Sequence, residues 1–141
     1  MKIELPDLCL VLLIGASGSG KSTFARQHFK STEIVSSDFC RGIISDDEND
    51  QSCSAQAFAL LHYIVDKRLA AGRLTVVDAT NVQPDDRKAL LRLAKENDCL
   101  GAAIVLNMPE NVCHERNASR PDRDFGPHVV RRHRTLLKKS L

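Results

Sequence analysis

The sequence predicts an α/β protein with a central parallel sheet flanked by helices, and three observations carry that expectation. The apolar run "LCLVLLI" at residues 8–14 reads as a strand buried on both faces. A glycine-rich stretch, "GASGSGKST", follows it and leads into "FARQHF", which reads as a helix. Strand-like and helix-like segments then alternate to residue 107, the pattern that builds parallel sheets.

In order, the first strand covers residues 8–14 and a helix 22–30, and a short strand lies near "EIVSS". A long amphipathic helix runs from about Ala55 to Ala71, where Gly72 ends it. A strand, "LTVVDA", precedes a helix that begins at Pro84 and continues through "DDRKALLRLAKEN", and "GAAIVLN" is the next strand. Two further helical stretches, around "PENVCHERNA" and "PHVVRRHRTLLKKSL", are separated by the turn-rich "SRPDRDFG". The last has Val129, Val130, His133, Leu136, Leu137 and Leu141 at helical spacing with no cap after them. Residues 1–141 are therefore expected to be a single domain forming the N-terminal part of a longer multidomain polypeptide.

Composition narrows the class. A chain of 141 residues with 43% hydrophobic content can bury one sizeable core. The single long apolar run falls far short of the ~20 residues a membrane span needs, and no signal-peptide pattern is visible. A cytoplasmic location with no membrane partner is expected. Five cysteines at wide spacing, with no C-x-x-C pair, read as reduced small hydrophobes. The net charge is only +2, but "SDDEND" at 45–50 is acidic, whereas from residue 116 onward Arg and Lys dominate. That segment reads as a polyanion contact or, alternatively, as a solvated helix face.

The chemistry is concentrated in four stretches. Gly15, Gly18 and Gly20 allow backbone dihedrals that side chains forbid, so the N–H groups of 15–23 can turn inward around phosphates. Gly15, Ser17, Gly18, Ser19, Gly20, Lys21, Ser22 and Thr23 form the expected nucleotide-binding loop: Lys21 reaches the β and γ phosphates, and the Ser22 hydroxyl ligates Mg²⁺. The helix that follows adds its positive end. Asp78 closes the strand "LTVVD", as a Walker-B-type carboxylate holding the metal directly or through water does. Asp38, just after the second strand, lies where a parallel sheet lines its ligand crevice and can take the proton of an attacking hydroxyl; the alternative is a helix or turn cap. Arg41 is suited to a phosphate on the acceptor, or is a surface arginine. Thr80 and Asn81 either fix the acceptor loop or form the turn. Arg116, Arg120 and Arg123 sit in a segment able to bring guanidinium groups over a triphosphate as a lid. The fold so predicted is a kinase-type P-loop NTPase: three layers with a C-terminal arginine-rich lid.

"GASGSGKST", "SSDFCR", "VVDATN" and "RNASRPDR" together resemble the P-loop polynucleotide 5′-kinase family, and within it the N-terminal kinase domain of the bacterial RNA-repair polynucleotide kinase/phosphatases (Pnkp). The likeness runs from residue 9 to the last helix. It implies that Lys21 contacts the β and γ phosphates, Ser22 and Asp78 serve the metal (Mg²⁺ or Mn²⁺), and Asp38 is the general base for a 5′-OH. It further implies that Arg41 meets the acceptor and that Arg116 and Arg123 clamp the donor, ATP or GTP; Arg120 is separately expected to bind substrate. The implied acceptor is the 5′-OH end of single-stranded RNA or DNA in RNA repair. Larger family members add phosphatase and ligase modules and act with an RNA methyltransferase. Here "DRDFG" lacks the context of an aspartate-based phosphatase, so no phosphatase activity is expected. Two other readings remain open: a P-loop small-metabolite or sugar-nucleotide kinase, and a nucleotide-binding switch or regulatory ATPase with no acceptor.

Overall fold

The computed structural model describes residues 9–16, 19–81 and 83–106. The expected helices beyond 107, the arginine lid with Arg116, Arg120 and Arg123, and loop residues Ser17 and Gly18 lie outside the described residues. The elements are β1 (Cys9–Ile14), α1 (Lys21–His28), β2 (Ile34–Ser36), α2 (Ser37–Ser45), α3 (Ser54–Ala70), β3 (Thr75–Asp78), α4 (Pro84–Glu96) and β4 (Leu100–Val105). Short 3₁₀ turns cover Ser31–Glu33 and Gln51–Cys53.

All four strands are parallel, in the order β2-β3-β1-β4. β1 is central, and all six of its residues are buried, as an unbroken apolar run requires of a strand covered on both faces. Its side chains alternate between two cores. Leu10, Leu12 and Ile14 join Val35 and Val77 against Ala57, Leu61, Val65 and Leu69 of α3 and Leu90 and Ala94 of α4. Cys9, Val11 and Leu13 join Val76 and the Ala25 face of α1. The sheet is thus the middle of three layers, and the chain passes from one side of β1 to the other between β3 and β4. At such a switch point a ligand crevice opens beyond the strands' carboxyl ends.

α3 is held by its four-residue apolar stripe, and Gly72 (φ 73) follows its end in the left-handed region. Tyr63 on the same helix is 63% exposed. Two residues past Leu61 the helix has turned about 200°, so Tyr63 faces away from the stripe. There Lys67 Nζ sits 5.2 Å from its ring centroid. α4 starts with Pro84 in its first turn, where a missing N–H costs nothing. The Asn97 amide donates to Asp66 Oδ1 at 3.0 Å and so ties the end of α4 to α3.

α2 is a helix that the sequence pattern did not foretell. Ser36 caps it by accepting from the Phe39 N–H at 3.2 Å, and Asp38 lies in its first turn, favourable to the dipole. Among the described residues Cys9, Cys40, Cys53 and Cys99 are free thiols, and no helix is long and apolar enough to cross a membrane.

His62 on α3 is half-buried, and burial holds its pKa below the ordinary 6.5, with Asp86 of α4 opposing the shift. The folded protein therefore favours the neutral imidazole. Its contribution is complete above the unfolded value and is lost as pH falls through the folded one. Urea unfolding midpoints are expected to drop as pH falls below the ordinary histidine value of 6.5, and to drop less in His62→Gln.

Candidate active site

The end of β1 fixes where the glycine loop begins. Gly15 N–H donates to the Thr80 carbonyl at 3.0 Å, and Leu106 N–H donates to the Ile14 carbonyl at 2.7 Å. Gly15 is required here for space rather than for a special dihedral. A Cβ on it would lie 2.5 Å from Ser19 Oγ and 2.7 Å from the Leu106 carbonyl oxygen. Gly20 is the position that needs glycine for its backbone, with φ 95 where α1 starts. Lys21 is buried, and its Nζ donates to the Ala16 carbonyl at 3.0 Å across the loop. Thr23 is exposed on the first turn of α1.

The Ser22 hydroxyl donates to Asp78 Oδ2 at 2.7 Å, linking positions 56 residues apart. An ordinary glycine turn has no reason to place the residue after its lysine against the carboxylate that ends a neighbouring buried strand. A hydroxyl and a carboxylate are hard oxygen donors, and Asp78 is buried, so the pair fits a Mg²⁺-type cation that takes its remaining ligands from phosphates and water. Among the described residues no three His, Cys, Asp or Glu side chains gather into a metal cage.

"DATN" is a brace as well as a turn. Asn81 is buried with φ 51, a left-handed conformation that Asn tolerates better than most residues. Its Nδ2 donates to the Leu13 carbonyl at 2.7 Å and to the Ala79 carbonyl at 3.3 Å, and its own carbonyl accepts from Arg87 Nη1 at 2.9 Å. It pins the carboxyl ends of β1 and β3 together beside the loop. Ser19 Oγ and Asn81 Oδ1 are buried with no hydrogen-bond partner among the described residues.

Asp38 and Arg41 meet on α2. Arg41 Nη1 donates to Asp38 Oδ1 at 2.8 Å, its Nε donates to Ser54 Oγ at 3.2 Å, and the guanidinium lies 5.9 Å from the Phe58 ring centroid. Arg41 is thus a buried residue that fixes the Asp38 carboxylate, rather than a free surface arginine. Burial lowers its pKa, with Cys53 and Cys40 opposing, and burial also pushes the Cys40 thiol up. Starting from so high a value, the guanidinium stays charged, and the thiol stays unreactive. Ser54, the first residue of α3, was invisible as a site residue in the sequence; only the fold brings it to Arg41.

A strand–loop–helix unit whose hydroxyl and facing carboxylate are hydrogen-bonded fits a kinase-type P-loop fold. The family model described as "AAA domain" matches residues 10–140, and the chain belongs to that family. The transcription factor bHLH140 of Arabidopsis thaliana is 30% identical over 111 residues, which are 79% of this chain and 11% of that protein. Among solved structures, a chain of the Pnkp1/Rnl/Hen1 RNA repair complex superposes with a TM-score of 0.79 at 22% identity, over 94% of this chain and 44% of that one. The Mycobacterium tuberculosis APS kinase CysC, in complex with AMPPNP and APS, gives a TM-score of 0.60 at 20% identity, over 80% of this chain and 70% of that one. This chain therefore spans about a tenth of the first of these relatives and less than half of the second. The shared fold confirms the expected α/β class and parallel sheet.

Gly15→Ala is expected to weaken nucleotide binding and to lower stability by about 1–3 kcal/mol, because the Leu106 carbonyl is backbone and yields little. Isothermal titration with a non-hydrolysable nucleotide and thermal unfolding check the two halves of this expectation.

Proposed function

We propose that the protein is a polynucleotide 5′-hydroxyl kinase, transferring the γ-phosphoryl group of ATP or GTP to 5′-OH ends of RNA or DNA, in RNA repair. The observation that carries the reading is the Asp38 carboxylate, held by Arg41 at the carboxyl edge of the sheet that also carries the loop. A water-activating switch has no need of a carboxylate locked beside its donor site, whereas a kinase needs one for the acceptor's proton. The sequence likeness of "SSDFCR" and "VVDATN" to polynucleotide kinases, and the fold likeness to a chain of an RNA repair complex, support the acceptor class.

In this reading the loop amides and Lys21 hold the β and γ phosphates, and the acceptor hydroxyl lies against Asp38, which takes its proton as the hydroxyl oxygen attacks the γ phosphorus and the bond to the β–γ bridging oxygen breaks, releasing the nucleoside diphosphate. Ser22 and Asp78 would hold a divalent cation, Mg²⁺ or Mn²⁺, which supplies charge neutralisation on the phosphates when bound. Arg116 and Arg123 from the expected lid clamp the donor, and Arg120 assists at the acceptor. Partner modules for phosphatase and ligase chemistry, and an RNA methyltransferase, belong to the same proposal. A second reading, a small-metabolite acceptor, is favoured by two observations: Arg41 is already engaged by Asp38 and Ser54, and an APS kinase shares the fold.

Incubation with γ-labelled NTP, Mg²⁺ and a 5′-OH oligonucleotide is expected to label the oligonucleotide. Lys21→Ala and Asp38→Ala are each expected to lower the rate at least about 100-fold. Label that reaches small hydroxyl metabolites and never the oligonucleotide would establish the second reading. Ser54 is a positioning residue for the Arg41 fork. Ser54→Ala is expected to raise acceptor KM by about threefold or more while donor KM holds, and Ser54→Thr to restore it; parallel shifts of both KM values would mark a merely structural role.

A further inference from the structure

α2 presents two unlike faces at the acceptor side of the site. Ser37, Cys40 and Arg41 are buried against the rest of the molecule. Phe39 and Ile43, one turn apart on the opposite face, are 59% and 57% exposed. Scattered apolar residues on a surface need no explanation, but an aromatic and a branched aliphatic side chain in register, directly after Asp38, make a ridge at the place where an acceptor must lie. The ridge has a fixed base. The Ser36 cap holds the Phe39 N–H, and the Arg41–Asp38 and Arg41–Ser54 bonds clamp the next turn to α3.

We propose that Phe39, extended by Ile43, is the platform on which the base of the acceptor's 5′-terminal nucleoside stacks. The inference rests on the polynucleotide kinase reading and adds the acceptor subsite to it. Successive residues of a helix point about 100° apart, so a 5′-hydroxyl at Asp38 sets its ribose across the flank of α2, with the base beyond it reaching towards Phe39 on the adjoining flank. Every base has a π-face, so an aromatic platform binds the end nucleoside with little regard for sequence. The charges beyond the ridge limit its length. Asp46, Asp47 and Glu48 are exposed after the end of α2 and repel a phosphate backbone, so the platform suits one base rather than a run of them.

The test compares transfer kinetics on two 5′-OH oligonucleotides that differ only in whether the 5′-terminal nucleotide carries a base or is abasic. Phe39→Ala is expected to raise KM for the first by about tenfold and to change KM for the abasic one by less than about twofold, while Phe39→Trp keeps a low KM on the first. Equal changes on both acceptors, or none on either, overturn the proposal. So does a loss of self-association in sedimentation with acceptor KM unchanged, which would assign the ridge to a second copy of the chain. Wild-type protein that labels neither oligonucleotide refutes the polynucleotide reading itself, a result distinct from a platform that fails while transfer persists.

Discussion

Everything at the site depends on the burial of β1. Its six residues are shielded on both faces and hydrogen-bonded along both edges, to β3 and to β4. Full burial of each large aliphatic side chain contributes about 1.5–3 kcal/mol, while a helix cap contributes about 1 kcal/mol. The strand's position is therefore settled by packing, and the loop inherits a starting point that it has no power to shift. Gly15 sits at that point between Ser19 and the Leu106 carbonyl, with its N–H on Thr80. Three strands grip the base of the phosphate loop before any phosphate is involved.

The same rigidity explains why the distant pair Ser22 and Asp78 closes to hydrogen-bond distance. β3 pairs with β1 in register from Leu10 opposite Thr75 to Leu13 opposite Asp78, so the end of one strand sets the height of the other. Asn81 then locks both ends through the Leu13 and Ala79 carbonyls. The left-handed backbone at Asn81 costs some stability, and two amide hydrogen bonds inside a low-dielectric site offset it.

Much of this was legible before folding. β1 was plain from an uninterrupted apolar run, α3 from its four-residue period and closing glycine, α4 from Pro84, and the loop from its spacing. α2 was not, because "SDFCRGIIS" contains a glycine and two adjacent isoleucines, poor helix formers, and it is packing on α3 that makes it helical. Arg41 illustrates a different limit. Its residue type suggests a phosphate contact, but its partner Asp38, three residues before, emerges only once α2 forms, and Ser54, thirteen after, only when α2 meets α3. Gly15 was read as a dihedral requirement and proved to be a volume requirement, a distinction carried by Leu106, far away in sequence.

The two sides of the site share the sheet but differ in their second support. The loop and Asp78 are set by β1 and β3, whereas Asp38 and Arg41, on α2 directly after β2, are also tied through Ser54 to α3. Under the proposed function, a change in how α2 and α3 pack shifts the Asp38 carboxylate more than it shifts the loop. One inherited nucleotide-handling loop would then serve different acceptor alcohols through small adjustments in a pair of helices.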